Sequence, residues 1–150
     1  MLLSDYIRRE HILTGFEAPD KSGALAGLCR FAAALAGLDT EALLAVVMDR
    51  EAMGSTGLGG GVALPHGKSP LVDKPLVVLA TSKNGVDFDS IDGRPVRLFI
   101  LLLTPAAGDS REHLQLLARL GAMFKSPDAV NEVLQAGSAE EIFEFIARRQ

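Results

Sequence analysis

Apolar residues recur at helical spacing early in the chain. Leu25, Leu28, Cys29, Ala32, Leu35 and Ala36 form one stripe between Lys21 and Ala36, which predicts an amphipathic helix that buries that stripe. Gly37 ends it. Asp39 is placed to cap a second helix, in which Leu43, Leu44, Val47 and Met48 face inward and Asp49, Arg50 and Glu51 close the last turn. Ahead of both, Ser4 to Arg9 reads as one or two helical turns and Ile12 to Phe16 as a modest strand, with His11 at the boundary.

After residue 60 the pattern shifts towards strands. Val62-Ala63-Leu64 is a short apolar run, and Leu64 is pushed to extended geometry because Pro65 follows it. Pro70 to Pro75 is a connection. Leu76 to Thr81 is a strand, turned by Asn84-Gly85; Val86 to Phe88 then pairs briefly before a second turn at Asp92-Gly93. Val96 to Leu103 is nearly unbroken in apolar residues, as expected of a central strand covered on both faces, and Thr104-Pro105 stops it.

Three helices complete the pattern. The first begins near Ser110, where Asp109 and Glu112 have capping-box spacing, and its inward face carries His113, Leu116, Leu117, Leu120 and Phe124. The next starts at Ser126-Pro127, buries Val130, Val133 and Leu134, and ends at Gly137. In the last, Ser138 and Glu141 form a capping box and Ile142, Phe145 and Ile146 face inward. Helices interspersed with strands, some joined by turns that allow antiparallel pairing, predict an α/β fold: a mixed β-sheet between helical layers.

With 150 residues and 48% hydrophobic content, the chain can close one core, so a single domain over 1–150 is expected. The net charge of -4, the pI near 5.3 and the lack of a basic run argue against a nucleic-acid surface. No stretch approaches about 18 consecutive apolar residues, and Met1-Leu2-Leu3-Ser4-Asp5 lacks the basic start and apolar core of a signal segment. A cytoplasmic protein that does not insert into membranes is expected. The single cysteine, Cys29, cannot form an internal disulfide or a thiol metal cluster, and its place on a helix stripe reads as a buried structural thiol.

Candidate chemistry concentrates between Gly54 and Lys68, which hold six of the fifteen glycines and one of the three histidines. So dense a glycine run predicts a shaped loop rather than a helix or a regular strand, because glycine loses the most backbone entropy on ordering. His66 then falls at or just past a strand end. Gly67 allows a sharp turn or a close approach, and Lys68 adds a cation beside the imidazole. A Walker phosphate loop fails, since Val62 stands where its first glycine belongs. A dinucleotide fingerprint starting at Gly57 and Gly59 fails at the same residue, and a strand follows where a helix is required. Gly54-Ser55-Thr56-Gly57 is not a hydrolase nucleophile elbow. What fits is a histidine that carries a group covalently, with backbone amides and a cation holding the transferred oxygens.

Arg50-Glu51-Ala52-Met53-Gly54-Ser55-Thr56-Gly57, continuing to Ala63-Leu64-Pro65-His66-Gly67-Lys68, resembles the IIA domain of the bacterial phosphotransferase system, in its mannitol, fructose and nitrogen-related branch. The resemblance extends through Phe88-Asp89-Ser90-Ile91-Asp92-Gly93-Arg94-Pro95-Val96 and Glu112-His113-Leu114-Gln115, and so covers most of the chain. The triplet Gly59-Gly60-Gly61 is richer in glycine than the family pattern. The resemblance implies a three-layer α/β/α sandwich and a phosphohistidine carrier with no cofactor or metal. Its phosphodonor would be HPr or a nitrogen-branch relative, and its partner downstream a IIB domain or a regulatory target. Phe88 to Val96 looks more like the nitrogen-related, regulatory type than the sugar-transport type. The alternatives are a sugar-transport IIA component and a binding module that acts by contact alone.

The resemblance makes His66 the phosphorylated residue, His113 its neighbour, and Arg50 with Gly54, Ser55, Thr56, Gly57, Gly67 and Lys68 the candidate groups around the phosphate. Each has a plainer reading as well. Arg50 near a helix C-terminus could simply complement the dipole, and Lys68 could be solvated. His113 could be a partly buried histidine bonded to a backbone carbonyl.

Overall fold

The computed structural model describes residues 1–150. Two single 3₁₀ turns, Leu3–Asp5 and Arg9–His11, open the chain, and β1 (Ile12–Leu13) follows. The predicted strand is thus cut to two residues, although Phe16 N still donates to Thr81 O. Helix α1 (Lys21–Ala36) has the predicted bounds: Asp20 accepts from Gly23 N at its start, and Gly37 closes it at φ 67°. Asp39 caps α2 (Thr40–Glu51) by accepting from Ala42 N.

Both stripes are narrower than expected. Leu35 and Ala36 are exposed and border a surface cleft of about 560 Å³ with Leu71 and Pro75. Met48 is exposed too, because Leu43 and Val47 centre the buried side of α2 and the next residue is carried around the helix and off it.

The glycine run forms a hairpin where an irregular loop was expected. Strand β2 (Gly57–Gly59) pairs antiparallel with β3 (Val62–Ala63) around Gly60 and Gly61. Gly59, Gly60 and Gly61 all have φ between 65° and 83°, a left-handed path that favours glycine. His66 does not end a strand but begins one, β4 (His66–Ser69). Both β3 and β4 run parallel to β6 (Val96–Pro105) at one offset, from Val62 beside Leu98 through His66 beside Leu102 to Ser69 beside Pro105. They are one path interrupted at Leu64-Pro65, where Pro65 has no N–H to give although its carbonyl still accepts from Leu102 N.

Strand β5 (Leu76–Val86) lies antiparallel to β6. Asn84-Gly85 does not reverse the chain. It sits in a register shift between Thr81 and Val86, so the strand bulges and continues to Val86. The sheet order is β1-β5-β6-β3-β2, with β4 also on β6, and both parallel and antiparallel pairs occur.

Helices α1 and α2 cover one face of the sheet, against Phe99, Leu101 and Leu103 of β6. The other face, with Leu98, Ile100 and Leu102, is covered by α3 (Arg111–Phe124), α4 (Pro127–Gln135) and α5 (Ala139–Arg149). These three layers make the predicted α/β/α sandwich. Burying each such leucine stabilises the fold by about 1.5–3 kcal/mol.

Helix starts differ from expectation in detail. Asp109 and Glu112 form no capping box: Asp109 accepts from Arg111 N, and Glu112 accepts from the Tyr6 hydroxyl at 2.6 Å, which pushes the phenol up to about 12. Ser138 does accept from Glu141 N, but the Glu141 carboxylate turns to Gly137 N. Cys29 is buried, which raises its thiol to about 12 and keeps it protonated. No helix is long and apolar enough to cross a membrane.

Candidate functional site

The site gathers on the α3 side of the sheet, where the parallel β4–β6 pair approaches the start of α3. Alternate residues of a strand share a face, so His66 and Lys68 of β4 lie beside Leu102 and Thr104 of β6. His113, in the first turn of α3, comes down onto the same place. Its ring centroid lies 5.7 Å from that of His66 at an interplanar angle of 59°.

His66 is half-buried, and its Nδ1 lies 2.9 Å from Leu64 O. A carbonyl can only accept, so Nδ1 carries the proton and Nε2 keeps a free lone pair. Burial lowers the pKa of the ring; the Arg50 charge lowers it further, while the Leu64 carbonyl and the Glu51 charge act against this. At neutral pH, then, His66 is a neutral imidazole with one committed nitrogen and one available nitrogen.

His113 is buried, and its Nδ1 lies 2.6 Å from Thr104 Oγ1, not from a backbone carbonyl. Burial lowers its pKa first, and the His66 and Lys68 charges add to that. Lys68 is exposed, and its ammonium donates to the Ser110 hydroxyl at the N-terminus of α3. A cation, a helix N-terminus and two imidazoles therefore converge, which makes the region favourable to an anion.

Arg50, in the last turn of α2, reaches over the loop and donates from Nη1 to Gly54 O at 2.9 Å. This contact leaves its other guanidinium N–H groups free for a bidentate acceptor. Of the loop residues, Gly54 N is tied to Glu51 O, and Gly57 N donates to Ser55 Oγ at 3.1 Å, leaving the Ser55 hydroxyl proton to give. Thr56 is buried, and both its amide and its hydroxyl donate to Glu51. Gly67 is required for close approach: a Cβ there would stand 2.5 Å from Val46 Cγ1 of α2.

The structure therefore brings together His66, His113 and Lys68, with Arg50 near enough to bias His66, and gives Thr56 and Gly67 structural duties. Reading the sequence missed Glu51, Thr104 and Ser110. Glu51, read only as one of three residues that close the last turn of a helix, has a side chain just 4% exposed and pairs with Lys21 at 2.8 Å. Its one local signal is its place next to Arg50, ahead of the glycines. Thr104 becomes visible only once the strand register is known, and Ser110, which read only as a helix start, only through its contact with Lys68.

Comparison with known proteins places the whole chain in one family. The profile of the family described as phosphoenolpyruvate-dependent sugar phosphotransferase system, EIIA 2, matches residues 5–149. A nitrogen regulatory protein of Bradyrhizobium diazoefficiens is 35% identical over 98% of this chain and 95% of its own length. The crystal structure of nitrogen regulatory protein IIA-Ntr from Neisseria meningitidis superposes with a TM-score of 0.89 at 28% identity, covering 96% of this chain and 98% of that one. The IIA mannitol component of Escherichia coli, in a complex with phosphorylated IIB, superposes with a TM-score of 0.79 at 25% identity over 95% of this chain and 98% of that one. The chain belongs to the EIIA 2 family of the phosphoenolpyruvate-dependent phosphotransferase system.

Proposed function

We propose that this protein is a regulatory phosphohistidine carrier, one domain over its whole length, that accepts a phosphoryl group on Nε2 of His66. The observation that carries the reading is the Nδ1–H bond to Leu64 O, which leaves Nε2 as the ring's only lone-pair nitrogen. A phosphorylated histidine of an HPr-like donor presents its phosphoryl group in line with Nε2. The Nε2 lone pair forms the new N–P bond, the old N–P bond breaks, and its electron pair stays on the donor nitrogen. The Nδ1 proton remains on His66, so its ring takes up positive charge as the bond forms, and the Leu64 carbonyl faces that charge.

Such a transfer depends on position and on charge around the equatorial oxygens. Arg50 supplies a forked donor from one side. Lys68, the start of α3 and His113 supply positive potential from the other, and Ser55 a hydroxyl. His113 Nδ1 pairs with the Thr104 hydroxyl, which can donate as well as accept; in the tautomer in which it donates, the ring proton sits on Nε2 and is offered to a phosphoryl oxygen.

The full-length similarity to nitrogen regulatory proteins favours the regulatory branch. The mannitol relative, in its complex with phosphorylated IIB, supports the second reading, a sugar-transport component that exchanges phosphate with a IIB partner. The test is label transfer from phosphoenolpyruvate through enzyme I and an HPr-like donor. Wild type should take up an acid-labile, base-stable label, His66→Ala should take up none, and His113→Ala should slow uptake by roughly 10²-fold. Labelled His66→Ala would contradict the assignment.

A further inference from the structure

We propose that Glu51 is a positioning residue for His66: through Thr56 and Leu64, its buried carboxylate holds the imidazole in the tautomer that leaves Nε2 free. The proposal rests on the reading of His66 as phosphoryl acceptor and deepens it. Glu51 touches neither the imidazole nor the phosphate region, and the transfer mechanism makes no use of it.

The chain of contacts is continuous. Lys21 Nζ sits 2.8 Å from Glu51 Oε2 and is itself held 4.8 Å above the Phe88 ring centroid. The other carboxylate oxygen takes the Thr56 hydroxyl, and Oε2 also takes the Thr56 amide at 3.2 Å, so both donors of Thr56 point at one fixed group. Thr56 is thereby held in place, and its carbonyl accepts from Leu64 N at 3.0 Å. Leu64 O then faces His66 Nδ1 at 2.9 Å. Pro65 has no N–H to give to β6, and Leu64 is held from the other side, by its own N–H on the Thr56 carbonyl.

The charge acts in the same direction. As the N–P bond forms, positive charge spreads over the ring to Nδ1–H. The Glu51 charge supports that change and the Arg50 charge opposes it. Arg50 and Glu51, neighbours in sequence, thus divide the work: one faces the phosphoryl oxygens and the other steadies the ring that receives them. A buried carboxylate that only tied α1 to α2 would have no bearing on the His66 tautomer.

The experiment compares wild type with Glu51→Gln and with the double variant Lys21→Met/Glu51→Gln, which leaves no charge buried alone. Glu132→Gln, from the exposed Arg148–Glu132 pair, is the control. The first readout is the ¹⁵N spectrum of the His66 ring in the unphosphorylated protein. The wild type and the control should show one tautomer with Nδ1 protonated, and the two Glu51 variants a mixture. The second is single-turnover transfer from a phosphorylated HPr-like donor. It should fall about tenfold in the variants with the donor KM unchanged, as for outer partners that orient a working histidine. An unchanged tautomer, or unchanged transfer, in the folded double variant would overturn the proposal. If the wild type takes no phosphate at all, the acceptor reading fails, and the ring spectrum alone still decides the claim for Glu51.

Discussion

Strand β6 and the path beside it, β2 through β4, are in direct contact but built on opposite principles. β6 is regular: Leu98 to Leu103 are all buried, with alternate residues feeding the two halves of the core. The neighbouring path is broken by three glycines and a proline, and it carries His66, the proposed phosphoryl acceptor. The regular strand is the ruler that fixes where His66 stands, because the shared register runs unbroken across Pro65. At the interruption, the Leu64 carbonyl faces His66 Nδ1 at 2.9 Å. Precision and chemistry thus come from two strands, and each can be perturbed separately.

The largest effect is expected on the ruler. Leu102 is fully buried directly beside His66, so Leu102→Ala should cost about 2–5 kcal/mol in urea unfolding and lower phosphoryl transfer as well. On the broken path, Gly67→Ala drives a methyl group into Val46 and should cost about 1–3 kcal/mol. Adding Val46→Ala should return part of that, since the two changes share one contact. If the second change restores nothing, close approach is not what the glycine provides.

A smaller effect is expected at Gly60, at φ 65° with open space where a Cβ would go. There Gly60→Ala should cost about 1–2 kcal/mol from backbone geometry alone, and Gly60→Asn less, checked by thermal unfolding.

The smallest is a pH effect confined to the site. His66 and His113 have folded-state pKa values below their unfolded ones. In the window between the two, the unfolded chain binds more protons, so stability rises with pH and is lost as pH falls below about 6.5. The urea midpoint should drop between about pH 7.5 and pH 5.5, and less so in the His66→Ala/His113→Ala double variant. His11, lowered by burial as well, would account for part of the remaining slope.

What the sequence made legible follows the same division. The bounds of α1, the cap at Asp39, the start and apolar run of the central strand and the inward face of α3 are written in local pattern, and they match; Thr104-Pro105 does not stop that strand, because Lys68 and Ser69 of β4 pair beside it and carry it to Pro105. The broken path is written in long-range pairing. Gly57 to Gly61 read as a loop because glycine gives no alternation of apolar and polar residues, yet the hairpin forms since β3, whose Val62-Ala63 did read as a strand, finds an edge on β6. Glu51 read only as part of a helix's last turn, because nothing nearby shows that Lys21 and Thr56 arrive to meet it. The site was legible as a cluster of residue types through its family pattern; its tautomer, its threonine and its buried carboxylate needed coordinates.

The central claim is that His66 receives the phosphoryl group on Nε2, and ³¹P–¹⁵N correlation on the phosphorylated protein tests it most directly. The account predicts coupling from phosphorus to Nε2 of His66, with Nδ1 still protonated against Leu64. Coupling to Nδ1 of His66, or to either nitrogen of His113, would contradict it.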